Sequence, residues 1–138
     1  MATLIICRGW PGSGKSTFAK RMFSGVLLLE NDMYHMHDGQ YDYNKHAMPD
    51  AIHWCAEMAK TALQHGMDVV VANTFTRCHY IEHYKQIAKE NKANFVVYRC
   101  VGNFKNVHGL DISLVQNFKD SMEDYPGETI VQPSQFKI

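Results

Sequence analysis

The 138-residue chain has no excess of charge of either sign, since fourteen Lys plus Arg offset fourteen Asp plus Glu. No global field draws it to polyanions, so any nucleic-acid contact has to come from a local cluster. Its four cysteines, Cys7, Cys55, Cys78 and Cys100, contain no CxxC pair, which leaves no zinc ribbon and no dithiol redox motif. No apolar run reaches the roughly 18 residues of a membrane-spanning helix, and no secretory leader is read at the start. Repeats, low-complexity tracts and linker-like stretches are missing too. The expectation is one reduced, cytoplasmic domain over residues 1–138 without membrane contact. A chain of this size buries roughly two thirds of its unfolded surface and folds without staples.

What is present is a regular alternation of short apolar runs and helical periodicity. Thr3 to Arg8 reads as a buried parallel strand feeding into glycines, and Ser16 to Phe23 as the helix after it. Val26 to Leu29 is a second strand, ending at Glu30, Asn31 and Asp32. A polar, turn-rich stretch from Asp38 to Asn44 precedes a helix marked by Ala47, Ala51, Trp54, Cys55, Met58, Ala59 and Leu63, which Gly66 stops. Trp54, Cys55 and Met58 read as core. Asp68 to Ala72 and Phe95 to Tyr98 are further strands, separated by a helix carrying Ile81, Tyr84, Ile87 and Ala88. A last helix is expected from Ile112 to Tyr125, with Thr129 to Val131 as a fifth strand. This order predicts an α/β fold of three layers, with a mostly parallel sheet of four to five strands, right-handed crossovers and helices on both faces.

The most specific signal is Gly9-x4-Gly14-Lys15-Ser16, the full phosphate-loop pattern, placed directly after a strand and opening a helix. Glycines let successive backbone N–H groups turn inward around phosphates, Lys15 adds a positive charge, the helix N-terminus adds its dipole, and the Ser16 hydroxyl can ligate Mg²⁺. Gly9, Pro11, Gly12, Ser13, Gly14, Lys15, Ser16 and Thr17 are therefore the candidate cofactor-binding residues, Ser16 the candidate metal ligand, and ATP with Mg²⁺ the expected cofactors.

In open α/β sheets ligands bind beyond the carboxyl ends of the strands. That selects Glu30, Asn31 and Asp32, then Asn73 and Thr74, then the segment from Gly102 to Gly109. Asp32 is placed to orient an acceptor hydroxyl and take its proton, or else to cap a short helix over Met33 to His37. Asn73 and Thr74 could bond substrate or a metal-bound water, or cap the next helix. Lys105, with Arg77 or Arg99 in reserve, could neutralise charge on the transferred phosphoryl oxygens, although Arg99 also reads as solvated surface charge. His108-Gly109 suits a loop over the nucleotide. His35-x-His37 and the pair His79/His83 have metal-ligand spacing, but no cysteine or carboxylate accompanies them at such spacing. Asp68 lies at the wrong end of its strand for a metal role.

The run Gly9 to Thr17 followed by Glu30-Asn31-Asp32-Met33-Tyr34 resembles the kinase domain of bacteriophage polynucleotide kinase and the related AAA-like P-loop kinase domains. Tyr41-Asp42-Tyr43, His53-Trp54-Cys55, Val71 to Thr76, Lys105 to Gly109 and Tyr125-Pro126-Gly127-Glu128 resemble later motifs of that family in order. The resemblance implies an ATP-dependent kinase of a hydroxyl, with a nucleic acid or nucleoside-like acceptor. Asp32 would be the general base, Lys15 and Ser16 would hold phosphates and metal, and Thr74 would help position substrate. Lys105 stands where the phage enzymes carry an arginine-bearing lid, Ala72-Asn73 where an aspartate is common, and His35 where an arginine seats the acceptor. A nucleotide-dependent binding module and a plain NTPase are the alternative readings of the same residues.

Overall fold

The computed structural model describes residues 1–37, 40–41, 48–104 and 111–132. In chain order these form β1 (Thr3–Arg8), α1 (Lys15–Met22), β2 (Leu27–Leu29), a 3₁₀ turn over Asn31–His35, and a short ribbon of β3 (Met36–His37) and β4 (Gln40–Tyr41). There follow α2 (Met48–Gln64), β5 (Val69–Asn73), α3 (Cys78–Glu90), β6 (Asn94–Cys100), α4 (Ile112–Ser121) and β7 (Thr129–Val131).

Five strands make one all-parallel sheet in the order β2-β5-β1-β6-β7, as the alternation predicts. The pleat of β1 explains why its sequence is apolar throughout. Leu4 and Ile6 enter a core shared with Cys55, Ala59, Ile81 and Tyr84 of α2 and α3, whereas Ile5 and Cys7 enter a second core with Phe18 and Ala19 of α1. Helices therefore cover both faces. β1 leaves toward β2 while its neighbour β6 leaves toward β7, and such opposed exits open a crevice at the carboxyl edge of a sheet.

Gly66 ends α2 as expected: its φ is +72°, its N–H donates to Leu63 O at 3.0 Å, and Met67 N–H donates to Ala62 O at 2.9 Å. Asp68 has a structural use, accepting from Thr3 N–H at 2.8 Å and so pinning the start of β1 beside β5. Other expectations change. The last helix stops at Ser121, because Glu123 N–H donates to Thr76 O at 2.8 Å and Tyr125 is drawn inward, its hydroxyl donating to Glu82. Within the stretch read as polar turn, Gln40–Tyr41 pairs antiparallel with Met36–His37. Met58 is 39 % exposed on the outer side of α2 and is not core, while Cys55 is fully buried and Trp54 is half-buried against the core. No described helix is long and apolar enough to cross a membrane.

Candidate nucleotide site at the carboxyl edge

The phosphate loop leaves the central strand with its shape fixed from three sides. Gly9 N–H donates to Thr74 O at 3.3 Å, tying the loop to the end of β5. On the other flank Gly102 N–H donates to Ser13 O at 3.0 Å and Phe104 N–H to Gly12 O at 2.7 Å. Inside the loop Ser13 N–H donates to Trp10 O at 3.0 Å. Gly12 and Gly14 have φ of +83° and +95°, a region that side chains resist. A Cβ on Gly9 would run into the Ser13 side chain and approach Cys100 O to 2.8 Å, so only glycine fits there. Gly14 is the N-cap of α1, and no side chain among the described residues caps that helix. The first N–H groups of α1, at Lys15, Ser16 and Thr17, have no intrahelical acceptor by helix geometry, which makes this turn an anion site. Pro11 forms part of the wall of a cavity of about 330 Å³ between the loop and α4, with Phe104, Ile112 and Val115.

Opposite the loop stands the turn after β2. The Ser16 hydroxyl donates to Glu30 Oε1 at 2.7 Å. Burial pushes the Lys15 ammonium below its ordinary pKa, and the nearby carboxylates of Glu30 and Asp32 oppose that shift. Asp32 lies in the first turn of the 3₁₀ segment rather than capping a helix. Asn73, at the same sheet level as Arg8, braces this turn. Its Oδ1 accepts from Asn31 N–H at 2.8 Å, and its Nδ2 donates to Asn31 Oδ1 at 3.1 Å and to Cys55 Sγ at 3.8 Å. Neither Asn73 nor Thr74 caps α3, whose N-cap is Arg77.

Behind the loop lies a buried ionic brace that the sequence does not announce. Arg8 is fully buried; its Nε and Nη2 donate to Phe75 O at 3.1 and 2.7 Å, and its Nη1 to Glu128 Oε1 at 2.8 Å. Glu128 Oε2 also accepts from Tyr125 N–H at 3.0 Å and from Arg99 Nη1 at 3.3 Å. Phe75 holds φ of +46° between these constraints. Arg99, expected as solvated charge or a reserve for the phosphoryl group, is only 14 % exposed and pairs with Asp124 and Glu128. A charged residue at the end of an apolar strand was the available signal, but its partner is 120 residues away.

The structure thus gathers Gly9, Gly12, Gly14, Lys15, Ser16, Thr17 and the Glu30–Asp32 turn at one edge. Arg77 is exposed and pairs with Glu123 at 3.8 Å. Lys105, His108 and Gly109 lie outside the described residues, and of His35 only the backbone is described. The four thiols are all raised above the ordinary cysteine range, by burial first, with Cys100 at about 12, so none is poised as a nucleophile. Among the described residues no group of three or more His, Cys, Asp or Glu is placed to hold a metal ion.

A phosphate loop on the central strand of a five-stranded parallel sheet, flanked by helices on both faces, defines a P-loop fold of the kinase type. The AAA domain family matches residues 4–102, and the chain belongs to that family. An uncharacterized protein of Pasteurella multocida (strain Pm70) is 31% identical in an alignment that covers 98% of this chain and 86% of that protein. NEDD4-binding protein 2 of Homo sapiens is 23% identical over 95% of this chain, which corresponds to only 8% of the human protein's length. Among solved structures, a candidate kinase from Chloroflexus aurantiacus j-10-fl shares the fold with a TM-score of 0.73 at 19% identity, over 99% of this chain and 92% of that one. A gluconokinase from Sinorhizobium meliloti 1021 does so with a TM-score of 0.67 at 17% identity, over 94% and 82%.

Proposed function

We propose that the protein is an ATP- and Mg²⁺-dependent phosphotransferase that moves the γ-phosphoryl group onto a hydroxyl of a nucleic acid or nucleoside-like acceptor. The observation that carries this reading is the facing of the phosphate loop and the Glu30–Asp32 turn, with both carboxylates close enough to act on Lys15. Backbone N–H groups of residues 14–17 and the Lys15 ammonium hold the triphosphate. Asp32 accepts the acceptor's proton as the new O–P bond forms and the β,γ-bridging P–O bond breaks, leaving ADP. The donor set suits magnesium, a hard cation that takes oxygen ligands and is held largely by substrate phosphates, because the Ser16 hydroxyl and Glu30 carboxylate sit side by side. When bound, that ion neutralises charge on the β- and γ-phosphates. The resemblance to the phage kinase domain supports the nucleic-acid side of the acceptor range, and a gluconokinase with the same fold supports its small-molecule side.

The test is transfer of label from γ-labelled ATP to a panel of 5′-hydroxyl oligonucleotides, hydroxymethylated DNA and nucleosides. Acceptor-dependent transfer that falls at least about 100-fold in Asp32→Asn is expected, the usual scale of a lost general base. A second reading, a nucleotide-dependent binding module, is favoured by Asn73, a neutral side chain already engaged with Asn31 where an acid would serve catalysis. Tight ATP binding without transfer to any acceptor would select it.

A further inference from the structure

The proposed magnesium-nucleotide site leaves one question of charge balance. Ser16 is a neutral donor, and the side chain at the end of β5, Asn73, is a neutral amide whose oxygen and nitrogen both bond Asn31. Asn73 therefore offers no anionic oxygen to the metal. The acid that does reach the Ser16 hydroxyl comes from a different strand: Glu30, directly after β2, accepts its proton at 2.7 Å.

We infer that Glu30 is the carboxylate of the magnesium site, acting through Ser16. One Glu30 oxygen accepts a hydrogen bond from the Ser16 hydroxyl, which leaves the lone pairs of that hydroxyl for the metal. Magnesium keeps several waters and needs only one or two protein oxygens, so a hydroxyl with a carboxylate behind it is a sufficient protein share. Three observations favour this over a chance surface contact. The bond is partly buried and joins elements fourteen residues apart. Its acceptor strand is held in register, Leu29 opposite Val71. The next residue, Asn31, is locked twice by Asn73, so Glu30 is fixed from both sides. Glu30 is a positioning residue in this scheme; it touches neither the transferred phosphoryl group nor the acceptor.

This inference rests on the phosphate-loop reading, and one calorimetric series on the full chain separates the two. ADP is titrated with Mg²⁺ and with chelator into wild type, Ser16→Ala, Glu30→Gln, Glu30→Asp and the Ser16→Ala/Glu30→Gln double variant. In wild type Mg²⁺ should tighten ADP binding. Glu30→Gln should weaken the response to Mg²⁺, read as the ratio of ADP affinities with and without the ion, by about 10- to 100-fold, the scale of a lost partner behind a metal ligand. Glu30→Asp, which keeps the charge, should restore part of that response, and the double variant should lose no more than Ser16→Ala alone. A wild-type magnesium response in Glu30→Gln, or additive losses in the double variant, would overturn the role of Glu30 while leaving the loop reading intact. Absence of ADP binding to wild type with or without Mg²⁺ would overturn both. Glu30→Asp reports on the same role should Glu30→Gln fold poorly.

Discussion

Lys15 is held between two opposing influences, and the balance can be measured. Burial lowers its affinity for a proton, Glu30 and Asp32 partly restore it, and an arriving triphosphate adds further negative charge. Nucleotide binding should therefore raise the Lys15 pKa and take up protons. Above neutral pH, calorimetry in buffers of different ionisation enthalpy should show that uptake, and affinity should weaken as pH rises through the lowered value. Lys15→Ala should abolish the uptake and weaken binding roughly 10- to 150-fold, the equivalent of a charge-assisted hydrogen bond of about 1.5–3 kcal/mol. An unchanged affinity would contradict the role given to the loop. In the free protein the sign on stability is the reverse. Between the lowered pKa and the ordinary lysine value the unfolded chain binds more protons, so stability rises with pH across that window. The loop residues were legible because their contacts are local and each position demands one residue type. Glu30 was legible only as a strand-end candidate, without its bond to Ser16, and Arg8 was not legible, since an arginine ending a strand acquires meaning only from a partner far along the chain.

Among the elements, the segment from Glu123 to Glu128 acts as a strap. It ties the start of α3 through Cys78 N–H to Glu123 Oε1 at 2.7 Å, and the end of β1 through Arg8 to Glu128. Glu128→Gln should leave the Arg8 charge buried without its counter-charge and lower stability by about 3 kcal/mol, the low end for breaking a buried pair. Urea denaturation measures this. Because Arg8 also holds Phe75 O, next to the Thr74 carbonyl that takes Gly9 N–H, nucleotide affinity should fall with it. Arg77→Ala removes only an exposed pair and should change stability by less than about 0.5 kcal/mol. The strap explains why the last helix falls short of its expected length: the periodicity through Tyr125 fits a helix, but the buried bonds of Tyr125 and Glu128 prevail over local propensity. Strands were read more accurately, since those buried on both faces are unbroken apolar runs.

At the scale of the whole molecule, the layer architecture followed from element alternation, whereas the sheet order depends on which crossovers pack and could not be read from spacing. Binding at the loop should stabilise the folded state globally, because Gly9, Gly12 and Ser13 are tied to both β5 and the chain after β6. At nucleotide 100-fold above its dissociation constant the gain is about 2.7 kcal/mol, so thermal unfolding should shift up by several degrees with Mg²⁺-ATP, and by at most about half as much in Lys15→Ala at the same nucleotide concentration. The same ties give Trp10 an unusual post. Its indole N–H donates to Gly102 O at 2.9 Å, and the Lys119 ammonium of α4 lies 5.1 Å from the ring centroid. An indole clasped across that seam has its emission set by a carbonyl on one side and a cation on the other. The molecule thereby carries an intrinsic optical gauge beside its phosphate cradle, readable without any label.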